Sequence, residues 1–99
     1  MTLHIINKSP LSYSCLRECL PLCQQHNSIL FIEDGIVACQ CLTEAELDSC
    51  DDKGIKLYVL EADLKARGLT NKIIPPFITI DDDGFVALTI RHQSSVSWS

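Results

Sequence analysis

Leu3-His4-Ile5-Ile6-Asn7-Lys8-Ser9-Pro10 and Leu57-Tyr58-Val59-Leu60-Glu61-Ala62-Asp63-Leu64-Lys65-Ala66-Arg67-Gly68 decide the fold. Each opens as a short apolar run, stops at polar residues and passes into a helical pattern. A run with no polar alternation predicts a strand covered on both faces, which is the environment of a parallel sheet. Ser9 followed by Pro10 is a helix start, a hydroxyl N-cap with proline at the first helical position. Glu61 to Arg67 makes a short helix that Gly68 closes. Two strand-to-helix units within 99 residues predict a small open α/β sheet, and its chemistry belongs at the carboxyl ends of the strands.

Outward from these two units, Ser28 to Glu33 is a second buried strand, and Asp34-Gly35 turns the chain. Ile36 to Cys41 is too short for periodicity to separate a helical turn from an extended piece. Thr43, with Glu46 three residues on, matches a capping box and starts a helix over Thr43 to Leu47. Asp48 to Gly54 is expected as an acidic loop, Ile55 to Leu60 as the third strand. Leu69 to Pro76 holds the Pro75-Pro76 pair and is expected as a loop. Phe77 to Ile80 is a fourth strand, and Asp81-Asp82-Asp83-Gly84 caps a last helix from Phe85 to His92. Val96 to Trp98 offers a fifth strand. The helix begun at Pro10 should run towards Gln25, with Pro21 kinking it or ending its regular part early. The expected architecture is one domain over residues 1–99. It is α/β: a small three-layer open, mostly parallel sheet of four to five strands with helices on both faces.

Composition narrows the function classes. A net charge of −5 and scattered lysines argue against direct nucleic-acid binding, which needs clustered cations. No apolar run approaches the ~18 residues of a membrane span. Six cysteines without a signal peptide or turn-rich sequence point to a cytoplasmic chain with reduced thiols. The 46% hydrophobic content exceeds what one small core holds and points to a covered subunit interface.

Several residues are candidates for chemistry. Cys15, Cys19 and Cys23 recur every four residues along one side of the predicted Pro10–Gln25 helix, with Cys19 near the middle of its apolar arc. Free cysteine at such positions is usually a small core hydrophobe. A reactive thiol needs a helix N-terminus or a cation, and Arg17, the nearby one, points elsewhere. Cys39-Gln40-Cys41 with Cys50 lacks the paired knuckles of structural zinc, so no metal is expected. The acidic groups at Asp48/Asp51/Asp52 and Asp81/Asp82/Asp83 lack EF-hand spacing and read as caps and solvated surface. No glycine-rich phosphate loop is present, and no cofactor is expected. His4 reads as a satisfied core imidazole. Lys8, Glu33, Asp34, Glu61 and Asp63 each follow a strand, so an open sheet gathers them on one rim as a polar docking edge; Lys8 there is placed to lower the pKa of a nearby thiol.

The opening segments, with Phe31-Ile32-Glu33-Asp34-Gly35-Ile36-Val37-Ala38 and Asp83-Gly84-Phe85-Val86-Ala87-Leu88-Thr89, resemble in order the blocks of the TusB/DsrH family of sulfur-relay proteins, within the DsrE/DsrF/DsrH-like superfamily. Ser97-Trp98 is similar to the way many members end. The resemblance implies a subunit, not itself the main sulfur carrier, of a dimer of heterotrimers with TusC/DsrF-like and TusD/DsrE-like paralogues, fed by small sulfur-carrier proteins. It implies 2-thiouridine at the tRNA wobble position as end product, with sulfur oxidation as the other branch. In that branch members resemble this chain in a cysteine nine residues after the proline of Asn-Lys-Ser-Pro, which makes Cys19 a candidate persulfide site. His92 matches the tail motif, implying a structural or interface role. A homo-oligomeric module with no sulfur role is the remaining alternative.

Overall fold

The computed structural model describes residues 2–7, 19, 21–39, 42–69 and 77–98. Five strands, β1 (Thr2–Ile6), β2 (Ser28–Phe31), β3 (Lys56–Leu60), β4 (Ile78–Ile80) and β5 (Ser94–Trp98), form one sheet in the order β4-β3-β2-β1-β5, and every pairing is parallel. The register sets Leu3 beside Ser28, Ser28 beside Lys56 and Ile6 beside Trp98. The helices among the described residues are α1 (Gly35–Cys39), α2 (Glu44–Asp52), α3 (Glu61–Ala66) and α4 (Asp82–Arg91).

Topology decides which face each helix covers. From β1 to β4 the chain steps one way across the sheet, and then it returns past β1 to β5. Crossovers of one hand therefore lie on one face until the reversal, which sends α4 to the other. The two apolar clusters match this arrangement. Ile6, Ile29, Phe31, Leu57 and Val59 pack with Cys19, Cys23, Ile36, Cys50 and Leu64 on the first face. Leu3, Leu30 and Tyr58 pack with Leu88 on the second. β2 is buried throughout, which explains its unbroken apolar run. The reversal places a topological switch point between β1 and β5, the position where open α/β sheets carry their crevice.

The parallel sheet, its fifth strand and the helices on both faces agree with the sequence reading. Local boundaries differ for physical reasons. The span Asp48 to Gly54 is not a loop as far as Asp52, because α2 continues through it. The Thr43–Glu46 capping box launches that helix, with Thr43 Oγ1 accepting from the Glu46 amide at 3.2 Å, and Cys50 turns inward to anchor the acidic stretch. Residues 35–39 are helical, which settles the ambiguous Ile36 segment as far as Cys39; Gln40 and Cys41 lie outside the described residues. α4 starts three residues before Phe85, because Asp81 is the N-cap and its Oδ1 accepts from the Gly84 amide at 2.8 Å. Pro21 and Leu22 are helical and Cys23 is not, so regular helix stops soon after the proline. The Ser9-Pro10 helix start lies outside the described residues, as does most of the Leu69–Pro76 segment. Gly35 holds a tight junction: a Cβ there would sit 1.9 Å from the Ile6 carbonyl oxygen, so α1 abuts the end of β1 only with glycine. No helix among the described residues is long and apolar enough to cross a membrane.

Candidate functional site

On the first face, His4 of β1 meets Cys19 and Cys23. The two sulfurs are 3.6 Å apart, and a ring nitrogen of His4 lies within 4.8 Å of both. The strand alternation puts His4 on the same side as Ile6, and the four-residue helical spacing stacks the cysteines. The orientation of the imidazole follows from its neighbours. The Thr2 amide donates to Asn27 Oδ1 at 3.2 Å, which fixes the Asn27 side chain with its Nδ2 facing His4 Nε2 at 3.2 Å. That nitrogen must accept, so the ring proton sits on Nδ1. Burial pushes the His4 pKa below its usual value and keeps the ring neutral.

The thiols are not equivalent. A hydrogen bond from Cys19 lowers the Cys23 pKa, burial opposes it, and the charge of Lys53 adds to the lowering. Cys50 moves up, chiefly through burial, then through the charge of Cys23, with Lys53 opposing and Glu46 assisting. Lys53 is the cation that sequence reasoning missed. It stands thirty residues beyond Cys23 and comes near only because the α2–β3 junction folds back on the sheet, where the Lys53 carbonyl accepts from the His26 amide at 3.1 Å. Histidine and two thiols are soft metal ligands. However, His4 Nε2 already accepts from Asn27 and Nδ1 carries the proton, so the ring offers a ligand only after this network is rearranged. The arrangement instead suits thiol chemistry. Access is limited: Cys19 is 0% exposed and Cys23 3%. Cys15, Cys41 and the Cys39 side chain lie outside the described residues.

At the carboxyl ends of the strands, Glu33 holds a left-handed backbone with φ of 50°, and its amide donates to Asp63 Oδ2 at 2.8 Å. Asp34 is paired with Arg67. Glu61 turns aside to Lys65 at 2.7 Å, one helical turn away. A cleft of about 220 Å³ lies between Glu61, Ala62 and Lys65 on α3 and Asp81 and Asp82 at the start of α4. At the end of β1, beside the switch point, Asn7 Oδ1 is buried and meets no donor among the described residues. Glu33, Asp34 and Asp63 are thus brought together, with Arg67 added. Arg67 and Asp81 were legible only as a scattered cation and a helix cap; a parallel fourth strand was the available signal that Asp81 shares this rim. Lys8 lies outside the described residues.

His92 sits at the opposite end of the sheet. It caps α4, is 8% exposed, and its Nδ1 donates to the Leu88 carbonyl at 2.7 Å. Its Nε2 is 3.0 Å from Ser28 Oγ, at the first residue of β2. Its position makes it a tie between α4 and the sheet, separate from the rim.

Comparison with known proteins finds matches along nearly the whole chain. The family model described as DsrH like protein matches residues 8–95. Proteins named Protein TusB from Shigella flexneri, Escherichia coli O81 (strain ED1a) and Escherichia coli (strain SMS-3-5 / SECEC) are each 36% identical over 98 residues, covering 97% of this chain and 99% of the relative. The chain belongs to the DsrH-like family.

Proposed function

We propose that this chain is the B-type, TusB-like subunit of a cytoplasmic sulfur-relay complex serving 2-thiouridine formation at the tRNA wobble position, and that it supplies a docking surface rather than the main persulfide. The observation that carries the docking role is burial of the candidate thiol and its neighbour among the described residues: Cys19 at 0% and Cys23 at 3% exposure are out of reach of a protein-borne sulfur donor. The carboxyl rim supports the same reading. Its Asp63–Glu33 and Asp34–Arg67 ties hold the backbone in place before a partner arrives. The acidic cleft at Asp81, Asp82 and Glu61 suits a basic side chain of a paralogous subunit. Exposed Val86 and Ile90, one turn apart on α4, offer apolar area for the same assembly.

The chemistry served is transfer of the outer sulfur of a persulfide. An acceptor thiolate attacks that sulfur, a new S–S bond forms, the donor S–S bond breaks, and the donor leaves as a thiolate. The test is co-expression with TusC/DsrF-like and TusD/DsrE-like paralogues, followed by light scattering and by intact-mass analysis after incubation with a persulfide donor. The expected result is a stable hetero-oligomer in which the added sulfur sits on another subunit and Cys19→Ser changes nothing. An isolated chain that ignores the paralogues overturns the reading and leaves the homo-oligomeric module.

A second reading has its own observation. The 3.6 Å contact of Cys19 with a Cys23 whose pKa is lowered is a thiol pair fit to hold one sulfur atom. A one-sulfur mass gain on this chain, lost in Cys19→Ser, would make Cys19 an active persulfide site of the sulfur-oxidation type.

A further inference from the structure

We infer that the second face of the sheet carries a binding site for a small organic phosphate, at the amino ends of β2 and β3, on the opposite face from the thiols and at the opposite end from the docking rim. A cavity of about 480 Å³ opens there. Among the described residues its walls carry the cations Lys56 and Arg91 beside the His26 imidazole, and its floor is Ser28, His92 and Tyr58. The chain carries thirteen acidic residues against eight lysines and arginines. None of the acids appears among the described residues of this cavity, whereas two of the cations and two of the three histidines do.

The cations are available to a ligand. The ion pairs among the described residues engage Lys65 and Arg67, leaving Lys56 and Arg91 with no carboxylate partner there. The floor is fixed. Ser28 is 4% exposed and His92 8%, and they are bonded to each other and to the Leu88 carbonyl. His26 has a left-handed backbone, φ 65°, and its N–H donates a hydrogen bond to the Lys53 carbonyl, which ties this wall residue to the α2–β3 junction. A Cβ added at Gly54 would stand 3.1 Å from the His26 ring, so glycine leaves that ring its room.

Ligand class follows from charge, shape and size. A guanidinium and an ammonium facing one cavity match a phosphate monoester, which carries nearly two charges at neutral pH and accepts both a fork and a point donor. The volume is in the small-ligand range of roughly 300–1,000 Å³ and exceeds what one inorganic ion fills, leaving the Tyr58 part of the floor for a carbon skeleton. A nucleic acid is disfavoured, because the remaining surface of a chain with net charge −5 repels a polyanion, while a single phosphate inside the cavity senses its nearest cations.

The test is a heteronuclear NMR titration of the full chain with ribose 5-phosphate, with inorganic phosphate and ribose as separate arms. Expected are saturable shifts at Ser28, Lys56, Arg91 and His92 that weaken with added salt. Both cations are on exposed positions, so Lys56→Gln with Arg91→Gln should fold normally and lose about tenfold in affinity per cation, near 100-fold together. Lys65→Gln, which removes the same charge at the other end of the sheet, should bind as the parent does. Saturation by the ester alone, or by the ester and inorganic phosphate together, supports the site and separates a metabolite from a free oxyanion. No saturable binding in either phosphate arm, equal binding of ribose, or full affinity in the double variant overturns it. The outcome is independent of the sulfur-relay reading, since neither the thiols nor the paralogues take part.

Discussion

Replacing Asn27 with alanine tests the network that orients His4. The side chain makes two buried or half-buried bonds, accepting from Thr2 at 3.2 Å and donating to His4 Nε2 at 3.2 Å. Each neutral bond contributes about 1 kcal/mol net, and a buried acceptor left bare costs about 1–3 kcal/mol. Thr2 is half-buried and recovers water, while His4 is 6% exposed and does not. The sum is about 2–3 kcal/mol, which for a domain of this size lowers Tm by roughly 10–20 °C. Thermal unfolding by circular dichroism measures it. In the parent, nitrogen-15 spectra should show His4 protonated at Nδ1. Asn27→Asp should accept from both neighbours, move the ring proton to Nε2 and raise the His4 pKa. A Tm loss below about 4 °C for Asn27→Ala, equivalent to less than 1 kcal/mol, or an Nε2-protonated ring in the parent, would refute the reasoning.

Burial lowers the His4 pKa from its unfolded 6.5. Its contribution to stability is therefore complete above pH 6.5 and lost as pH falls through the folded value; urea midpoints across that range should decline in the parent and flatten in His4→Gln. Gly35→Ala forces a Cβ to within 1.9 Å of the Ile6 oxygen. It should cost at least the about 1–3 kcal/mol of an overpacked core, and an unchanged urea midpoint would show the α1–β1 junction to be looser than described. Thr43→Ala removes the capping box of α2 and should cost about 1 kcal/mol by thermal melting. With its pKa lowered chiefly by the Cys19 hydrogen bond and that of Cys50 raised chiefly by burial, Cys23 should alkylate before Cys50 when iodoacetamide is added in native buffer; the reverse order would contradict the Cys19–Cys23 hydrogen bond as the distinguishing cause, since Lys53 lowers both thiols.

What could be read from the chain and what could not divide along physical lines. Apolar runs such as Ile29-Leu30-Phe31 announce strands buried on both faces, and such strands allow little but a parallel sheet. The rim acids followed from that sheet without side-chain knowledge. Helix extents were harder. The polar sequence after Leu47 gives α2 little signal, because only Cys50 is buried along it. The thiol environment was least accessible. The Cys19–Cys23 spacing was visible, but the approach of His4, Asn27 and Lys53 comes from crossovers that bring separate segments together. The pairing of His92 with Ser28 spans 64 positions and leaves no local trace.

The pairing of β1 with β5 closes the sheet between residues 92 positions apart, where Thr2 Oγ1 and Ser94 Oγ lie 3.1 Å from each other. During synthesis, at about 5–20 residues per second, β1 has a bare edge for several seconds while everything between the two strands is made. Long-range closure of this kind slows folding. A nascent chain is therefore most exposed to wrong edge-to-edge pairing just before its last strand emerges, and a chaperone or a neighbouring subunit shielding β1 in that interval would act at the moment of greatest risk.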